Sequence, residues 1–376
     1  MKVLFQVRSD LFKRRGGDTV QVENTAKSLE KLGVSVDISS SNSLDLSMYD
    51  LVHIFQLDWT CEPYLQAMNA KKNGLSLVLS PIHHSEAEVK RFEDTERYDL
   101  RRIVNPLFRS QESRDVLKNV YRALFEFDTS KIYPTFLSIK DGYRNEQREV
   151  LNASDLVLVQ TEIEARDVER DFNTKVEWKK IVNGVGEMFY KEDRKSTLEG
   201  DNNIVTVGRI EARKNQLRII EAVDRLRKEG ENLKLIIVGL FNERNFEYSL
   251  RVREKIKEYE WITYIQKIEY DKMPELYKDC KVCVSASWFE TSGLTLLEAL
   301  FCYCNVVASG ERAREYLGEN AFYCDPNDID SIKKALKEAF YSERPEIDDS
   351  FRKTYTWDEV ARNTLEAYNY VLNKTL

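Results

Sequence analysis

Two glutamates, Glu290 and Glu298, stand eight residues apart in Ser285-Ala286-Ser287-Trp288-Phe289-Glu290-Thr291-Ser292-Gly293-Leu294-Thr295-Leu296-Leu297-Glu298. The run Val282-Cys283-Val284 before them reads as a buried strand, and the leucines after Gly293 read as a helix. At such a helix start the N–H groups of Gly293, Leu294 and Thr295 lack intrahelical partners and can face an anion. Glu298, in the first turns, can accept hydrogen bonds from the two hydroxyls of a ribose, and Glu290 from those of a sugar. A second loop, Gly208-Arg209-Ile210-Glu211-Ala212-Arg213-Lys214, follows the strand Ile204–Val207 and precedes a helix. Arg209 offers a forked donor set, Lys214 a point charge and the helix its positive end, which together suit a diphosphate. Taken alone, such a basic loop is as commonly just a solvated one.

Two further places carry candidates. Gly16-Gly17 lies between the first strand and first helix, where glycine lets backbone approach a ligand closely; the spacing is not that of a dinucleotide fingerprint. His83 and His84 follow the strand Leu75–Leu79, and the carboxyl end of a strand is where open α/β sheets bind ligands. An imidazole there can donate to a hydroxyl or take a proton near neutral pH. The third histidine, His53, lies inside a strand pattern and reads as structural.

The elements that must position these residues alternate in the way of βαβ units and parallel sheets. Strands are expected at Val3–Val7, Val34–Ile38, Leu51–Ile54, Leu75–Leu79, Leu156–Val159 and Val176–Val182. A second series follows at Ile204–Val207, Leu233–Val238, Ile262–Ile265, Val282–Ser285, Val306–Ala308 and Ala321–Tyr323. Val22, Ala26, Leu29 and Leu32 mark one helix face and Leu217, Ile220, Val223 and Leu226 another. The polar stretch 187–202 breaks the rhythm and reads as a linker. It separates an N-terminal domain, 1–186, from a C-terminal one, 203–354, with a last helix over 355–376. Residues 85–149, aromatic-rich and charge-dense, read as a helical insertion.

A chain of 376 residues with a net charge of −7 suits two domains and argues against a nucleic-acid binder, whose footprint is usually basic. No apolar run reaches membrane-span length, and the N-terminus lacks signal-peptide features. Six cysteines, at 61, 280, 283, 302, 304 and 324, are expected as free thiols. Cys280 and Cys283 form a C-x-x-C, but no second pair or nearby histidine completes a zinc site, and Cys283 lies in a strand pattern.

Together these residues resemble glycosyltransferase family 4, a group of retaining enzymes, through the E-x7-E pair Glu290/Glu298, Val207-Gly208-Arg209 with Lys214, and Ile181-Val182-Asn183-Gly184-Val185. Gly16-Gly17, the strand-end His83 and the tail Tyr355-Thr356-Trp357 add to the likeness, which spans the chain except 85–149. The resemblance implies an α/β GT-B fold: two Rossmann-like domains whose parallel sheets face across a cleft, with the last helix crossing back to the N-terminal domain. It implies an enzyme that transfers a hexose, with retention and without a metal or other cofactor. Arg209 and Lys214 would neutralise the donor diphosphate, Glu298 would hold the ribose, and Glu290 with Gly293, Leu294 and Thr295 would position donor sugar and phosphate. Gly17 would approach the donor from the N-terminal side, and His83, preferred to His84, would contact the sugar near the reacting carbon; His83 and Glu290 are thus the catalytic candidates.

Where the family usually has a glycine and a proline after the motif helix, this chain has Tyr303 and Asn305. The implied partners are a nucleotide sugar, with UDP- or GDP-hexoses as candidates and GDP-mannose leading, and a glycan or lipid-linked acceptor in surface polysaccharide or glycoconjugate synthesis. The expected setting is cytoplasmic, with transient peripheral contact at the inner face of a membrane. The competing readings are a sugar-nucleotide epimerase of GT-B-like fold and a non-catalytic sugar-nucleotide binder.

Overall fold

Apolar β-branched runs fold here into two six-stranded parallel sheets whose inner strands are buried on both faces while the edge strands are partly exposed. The computed structural model describes residues 1–13, 15–58, 62–96, 98, 142–190 and 202–375. Most of the inserted segment (99–141), most of the linker (191–201), Cys61 and Arg14 lie outside the described residues.

The first sheet comprises β1 (Lys2–Gln6), β2 (Ser35–Ser39), β3 (Leu51–Phe55), β4 (Ser76–Ser80), β5 (Leu156–Val159) and β6 (Trp178–Lys180), in the order β2-β1-β3-β4-β5-β6. Its helices are α1 (Gly17–Lys31), α2 (Glu62–Lys72), α3 (Glu86–Thr95), α4 (Tyr143–Ala153) and α5 (Glu162–Phe172). The second sheet comprises β7 (Asn203–Val207), β8 (Lys234–Val238), β9 (Ile262–Ile265), β10 (Val282–Ser285), β11 (Asn305–Ser309) and β12 (Phe322–Cys324), in the order β12-β11-β10-β7-β8-β9. With it run α6 (Gln216–Lys228), α7 (Phe246–Glu258), α8 (Met273–Lys278), α9 (Leu294–Phe301), α10 (Glu311–Leu317), α11 (Ile329–Tyr341) and α12 (Asp349–Thr354); α13 (Trp357–Thr375) ends the described chain.

Two compact units result. One gathers Met1–Glu86, Val104–Gly184 and Thr354–Leu376; the other gathers Ala87–Ile103 and Val185–Lys353. Helix α13 lies in the first unit, where Trp357, Val360, Ala361, Tyr368 and Val371 share a core with Val3, Phe5 and Val22. Gly184 is small because Trp357 packs there: a Cβ on it would come within 2.7 Å of the indole. The described part of α3 from Ala87 on groups with the second unit. Phe92 is one cause, for it is buried in the second unit's core with Trp288, Val284 and Val307.

The substitutions at 303 and 305 have local explanations. Tyr303 sits at φ +62°, the left-handed region where glycine is cheapest. Asn305, buried at the start of β11, donates through Nδ2 to the Ala339 carbonyl at 2.8 Å and to that of Ser342 at 3.3 Å. Its amide ties β11 to the end of α11.

Candidate active site

In the second sheet, successive strands run β7-β8-β9 to one side and β10-β11-β12 to the other, so the direction of winding reverses between β7 and β10. Loops leaving the carboxyl ends of two such strands part to opposite faces and open a crevice, where ligands bind in open α/β sheets. Both motifs found in the sequence sit there: Gly208–Asn215 follows β7, and Ala286–Gly293 follows β10.

Side chains knit the two loops together. Lys214 Nζ pairs with Glu290 Oε1, and Arg213 lies 3.6 Å from Glu290 Oε2. Arg213 also donates to the Phe289 carbonyl at 3.2 Å and pairs with Glu211 at 3.1 Å. Asn215, in the left-handed region at φ +63°, donates to the carbonyls of Ala286 (2.9 Å) and Pro326 (2.7 Å). Burial pushes the Glu290 carboxyl up, but Lys214 and Arg213 beside it outweigh that and hold it at about 2. Burial pulls the Lys214 ammonium down, with Glu290 opposing. The exposed Arg209 differs: among the described residues its guanidinium enters no ion pair. Three cations, Arg209, Arg213 and Lys214, thus face two carboxylates, Glu211 and Glu290, leaving one positive charge in excess for an anion.

Backbone geometry completes the loop pair. Gly293, at φ +49°, caps α9, and a Cβ on it would lie 2.0 Å from the Tyr316 hydroxyl oxygen, so any other residue there would be strained and would have to displace that side chain. Leu294 and Thr295 begin the helix, and the carbonyl of Gly293 accepts from Leu296 N at 2.9 Å. Gly239, which the sequence reading passed over, is equally constrained: at φ +146°, a Cβ on it would meet the Gly208 carbonyl at 2.0 Å. A glycine directly after β8 was the available signal.

Glu298 is buried on α9, and Oε1 accepts from the Tyr270 hydroxyl at 2.7 Å. Burial raises its carboxyl from 4.5 to about 7, with the Tyr270 hydrogen bond working the other way. A carboxyl raised in the folded state contributes stability that is full below its unfolded pKa and lost as pH rises through the folded one. That window runs from about pH 4.5 to 7 here, and a shift of this size corresponds to about 3 kcal/mol. Thermal melts of the native chain should therefore fall between pH 5 and 8, while those of Glu298→Gln stay flatter. Parallel profiles would remove the explanation.

In the first unit, the sequence candidates are placed differently. Gly17 is the exposed first residue of α1 and has no left-handed φ; Gly16, at φ −158°, is extended. Thr19 Oγ1 accepts from Gly16 N at 3.2 Å and donates to the Leu11 carbonyl, closing this loop. His83 lies in a closed environment. It was expected to contact the sugar, but it is only 2% exposed and both ring nitrogens are occupied. Nδ1 meets Asp58 at 2.8 Å and Nε2 meets Asp171 at 2.9 Å. Burial alone would push this imidazole down; Asp58 and Asp171 overrule it and hold the pKa at about 10. A ring charged on both sides by protein carboxylates offers a ligand no free nitrogen. His84, half-buried, donates its backbone N–H to Asp58 at 3.1 Å.

His53 shows the opposite environment. It bonds the Tyr368 hydroxyl at 2.7 Å and Ser80 Oγ at 2.9 Å, neutral partners both, and burial lowers it to about 3. It is a neutral strut joining β3, β4 and α13. The five described cysteines are buried, and burial raises the Cys280 thiol to about 12.

Two Rossmann-like units with parallel sheets, the second wound about a reversal point, define the GT-B architecture. Sucrose-phosphate synthase from Thermosynechococcus elongatus superposes with a TM-score of 0.69 over 99% of both chains; at 15% identity the likeness is one of fold. Residues 189–354, the stretch that holds Arg209, Lys214, Glu290 and Glu298, match the family model described as "Glycosyl transferases group 1". Among curated proteins, the chain is 26% identical over 174 residues to O-antigen chain mannosyltransferase B of Escherichia coli, covering 43% of this chain. It is 30% identical over 160 residues, 41% of this chain, to the N-acetylgalactosamine-N,N'-diacetylbacillosaminyl-diphospho-undecaprenol 4-alpha-N-acetylgalactosaminyltransferase of Campylobacter jejuni. The chain spans 44% and 40% of the lengths of these two relatives. Among the described residues no helix is long and apolar enough to cross a membrane.

Proposed function

We propose that this chain is a retaining glycosyltransferase that moves a hexose from a nucleotide-diphosphate sugar to a hydroxyl of a glycan or lipid-linked acceptor. The observation that carries the reading is the Lys214–Glu290 pair bridging the loops of β7 and β10 beside the N-terminus of α9. Arg209, Lys214 and the N–H groups of Gly293, Leu294 and Thr295 stabilise the departing diphosphate, so that no metal is needed for leaving-group charge. Glu298 accepts the ribose hydroxyls through the carboxylate oxygen that Tyr270 leaves, and Glu290 orients the donor sugar. Gly17, the first residue of α1, is a further donor contact on this reading. His83 acts through its neighbours: its backbone N–H and ring fix the Ile82–Ser85 turn that presents His84.

One relative is an O-antigen chain mannosyltransferase and another is named for a diphospho-undecaprenol substrate, which supports a polysaccharide or lipid-linked acceptor and a mannosyl donor; GDP-mannose is our leading choice. On this reading the protein works at the cytoplasmic side and meets the membrane peripherally to reach a lipid-linked acceptor.

The test is nucleotide release from UDP-, GDP-, ADP- and dTDP-sugars, with and without EDTA, followed by NMR of the product's anomeric configuration. Release from one donor, unchanged by EDTA and with retention, is expected. Conversion of the donor at constant mass without release would make the chain an epimerase, and binding without either would make it a carrier.

A further inference from the structure

Loop 286–293 carries Glu290 but belongs to no regular element, so side-chain packing must set its place. The packing comes from α3. Phe92, 3% exposed, lies 5.9 Å ring to ring from Trp288 and meets Phe289 edge-on at 5.7 Å. Glu96, buried just past the helix end, pairs with Arg218, whose guanidinium lies 5.3 Å from the Trp288 ring centre. Arg91 lies 5.8 Å from the same ring and is held by Asp325 at 2.8 Å. Trp288 is therefore enclosed by one aromatic ring and two guanidinium groups, contacts that favour a fixed ring.

From Trp288 the constraint reaches the charge cluster directly. Its backbone N–H donates to the Arg213 carbonyl at 2.9 Å, and Arg213 in turn donates to the Phe289 carbonyl at 3.2 Å. Arg213 and Glu290 face each other one residue further on. Glu298, on α9, has its own anchor in Tyr270 and does not depend on this chain of contacts.

We propose that α3 is a positioning element of the donor site, with Phe92, Glu96 and Arg218 holding Trp288 and Phe289 and thereby fixing Glu290 against the sugar end of the donor. The inference rests on the donor-site reading above and divides that site in two. The nucleotide end is anchored by α9 and the β7 loop; the sugar end is anchored by a helix that starts two residues after His84. A helix from the insertion thus controls sugar recognition without itself supplying a ligand contact.

Calorimetric titration separates the two ends. Full-length native chain, Phe92→Ala, Phe92→Leu and Glu96→Gln are titrated with the sugar nucleotide that binds the native chain, drawn from the UDP, GDP, ADP and dTDP series, and with the matching nucleoside diphosphate. Phe92→Ala should weaken the sugar nucleotide roughly tenfold, the scale of a lost aromatic pair, and the diphosphate less than about twofold. Phe92→Leu, which keeps most of the buried volume and folds even if alanine does not, should show the same selectivity at smaller size. Glu96→Gln should resemble it. Equal weakening of both ligands, or of neither in folded variants, overturns the role of α3 while leaving the donor site standing. Failure of the native chain to bind any diphosphate or sugar nucleotide overturns the donor-site reading and this inference with it.

Discussion

Replacing Lys214 with alanine should lower nucleotide release from the donor by about 100- to 1,000-fold, the usual cost of deleting one preorganised group that stabilises charge on a leaving oxygen. The ammonium sits at the mouth of the β7 loop, paired with Glu290, with its stem against Gly208: a Cβ on that glycine would lie 3.4 Å from Lys214 Cε. Removing it strips one cation from the cluster and also loosens the carboxylate that orients the sugar. Arg213 remains 3.6 Å from Glu290, so the carboxylate stays ionised and the loop stays folded. Lys214→Arg keeps the charge but brings a broad planar group to a stem fitted around Gly208, and should recover only part of the rate. Arg209→Ala separates chemistry from stability. With an exposed guanidinium outside any described ion pair, it should melt within about 0.5 kcal/mol of the native chain, the range of ordinary surface substitutions, yet still lose rate. Unchanged release in Lys214→Ala, measured with saturating donor, would place the diphosphate elsewhere.

The strands were legible because parallel strands buried on both faces leave an unbroken apolar signature. Leu156–Val159 and Val282–Ser285 stand where the sequence put them, as does the partly exposed edge strand Ile262–Ile265, and β1, β4 and β11 begin or end within one residue of the reading. The loops of the second unit were legible for a related reason. Strand, glycine and helix are read locally, and the reversal between β7 and β10 brings two local motifs to one crevice.

What escaped the sequence depends on partners far along the chain. Arg213 was in plain view beside Lys214, but its contacts with Phe289 and Glu290 lie 76 and 77 residues on and carry no local pattern. The allegiance of α3 escaped because Phe92 reads as one apolar residue in a charged run; only Trp288 and the second core show where it is buried. The surroundings of His83 escaped because position after a strand is visible in sequence while the carboxylates that occupy the ring are not. One partial signal existed. Thr161 caps α5, and Glu164 and Asp171 lie seven residues apart on one face of that helix. Both turn toward the loop: Glu164 accepts from His83 N at 2.8 Å, and Asp171 accepts from Glu86 N at 2.9 Å as well as bonding the ring. A helix with two carboxylates spaced to hold a neighbouring turn can be suspected from sequence, but its target cannot be named.

His83→Gln should destabilise the protein by several kcal/mol while a sugar-contact role would predict loss of rate in a normally stable protein. The imidazolium sits between Asp58 and Asp171, and removing one partner of a buried ionic group typically costs about 3–5 kcal/mol because charge is left uncompensated. Two features moderate the figure. Asp58 is 26% exposed, so water screens part of its charge, and Arg170 pairs with Asp171 at 2.8 Å from the other side. About 3 kcal/mol is therefore the expected loss. The pH dependence identifies the cause. The histidine's folded pKa, about 10, lies above its ordinary 6.5, so its contribution is complete below about pH 6.5 and disappears as pH rises through 10. The gap in urea-unfolding free energy between native chain and His83→Gln should be widest near pH 6 and narrow steadily toward pH 10. Asp171→Asn should show a smaller loss with the same trend, since the ring keeps Asp58. His84→Gln, which breaks none of these ion pairs, should leave the unfolding curve in place at every pH. A native-like curve for His83→Gln at pH 6, with release reduced 100-fold, would return the ring to the sugar and make the buried arrangement irrelevant to the working enzyme.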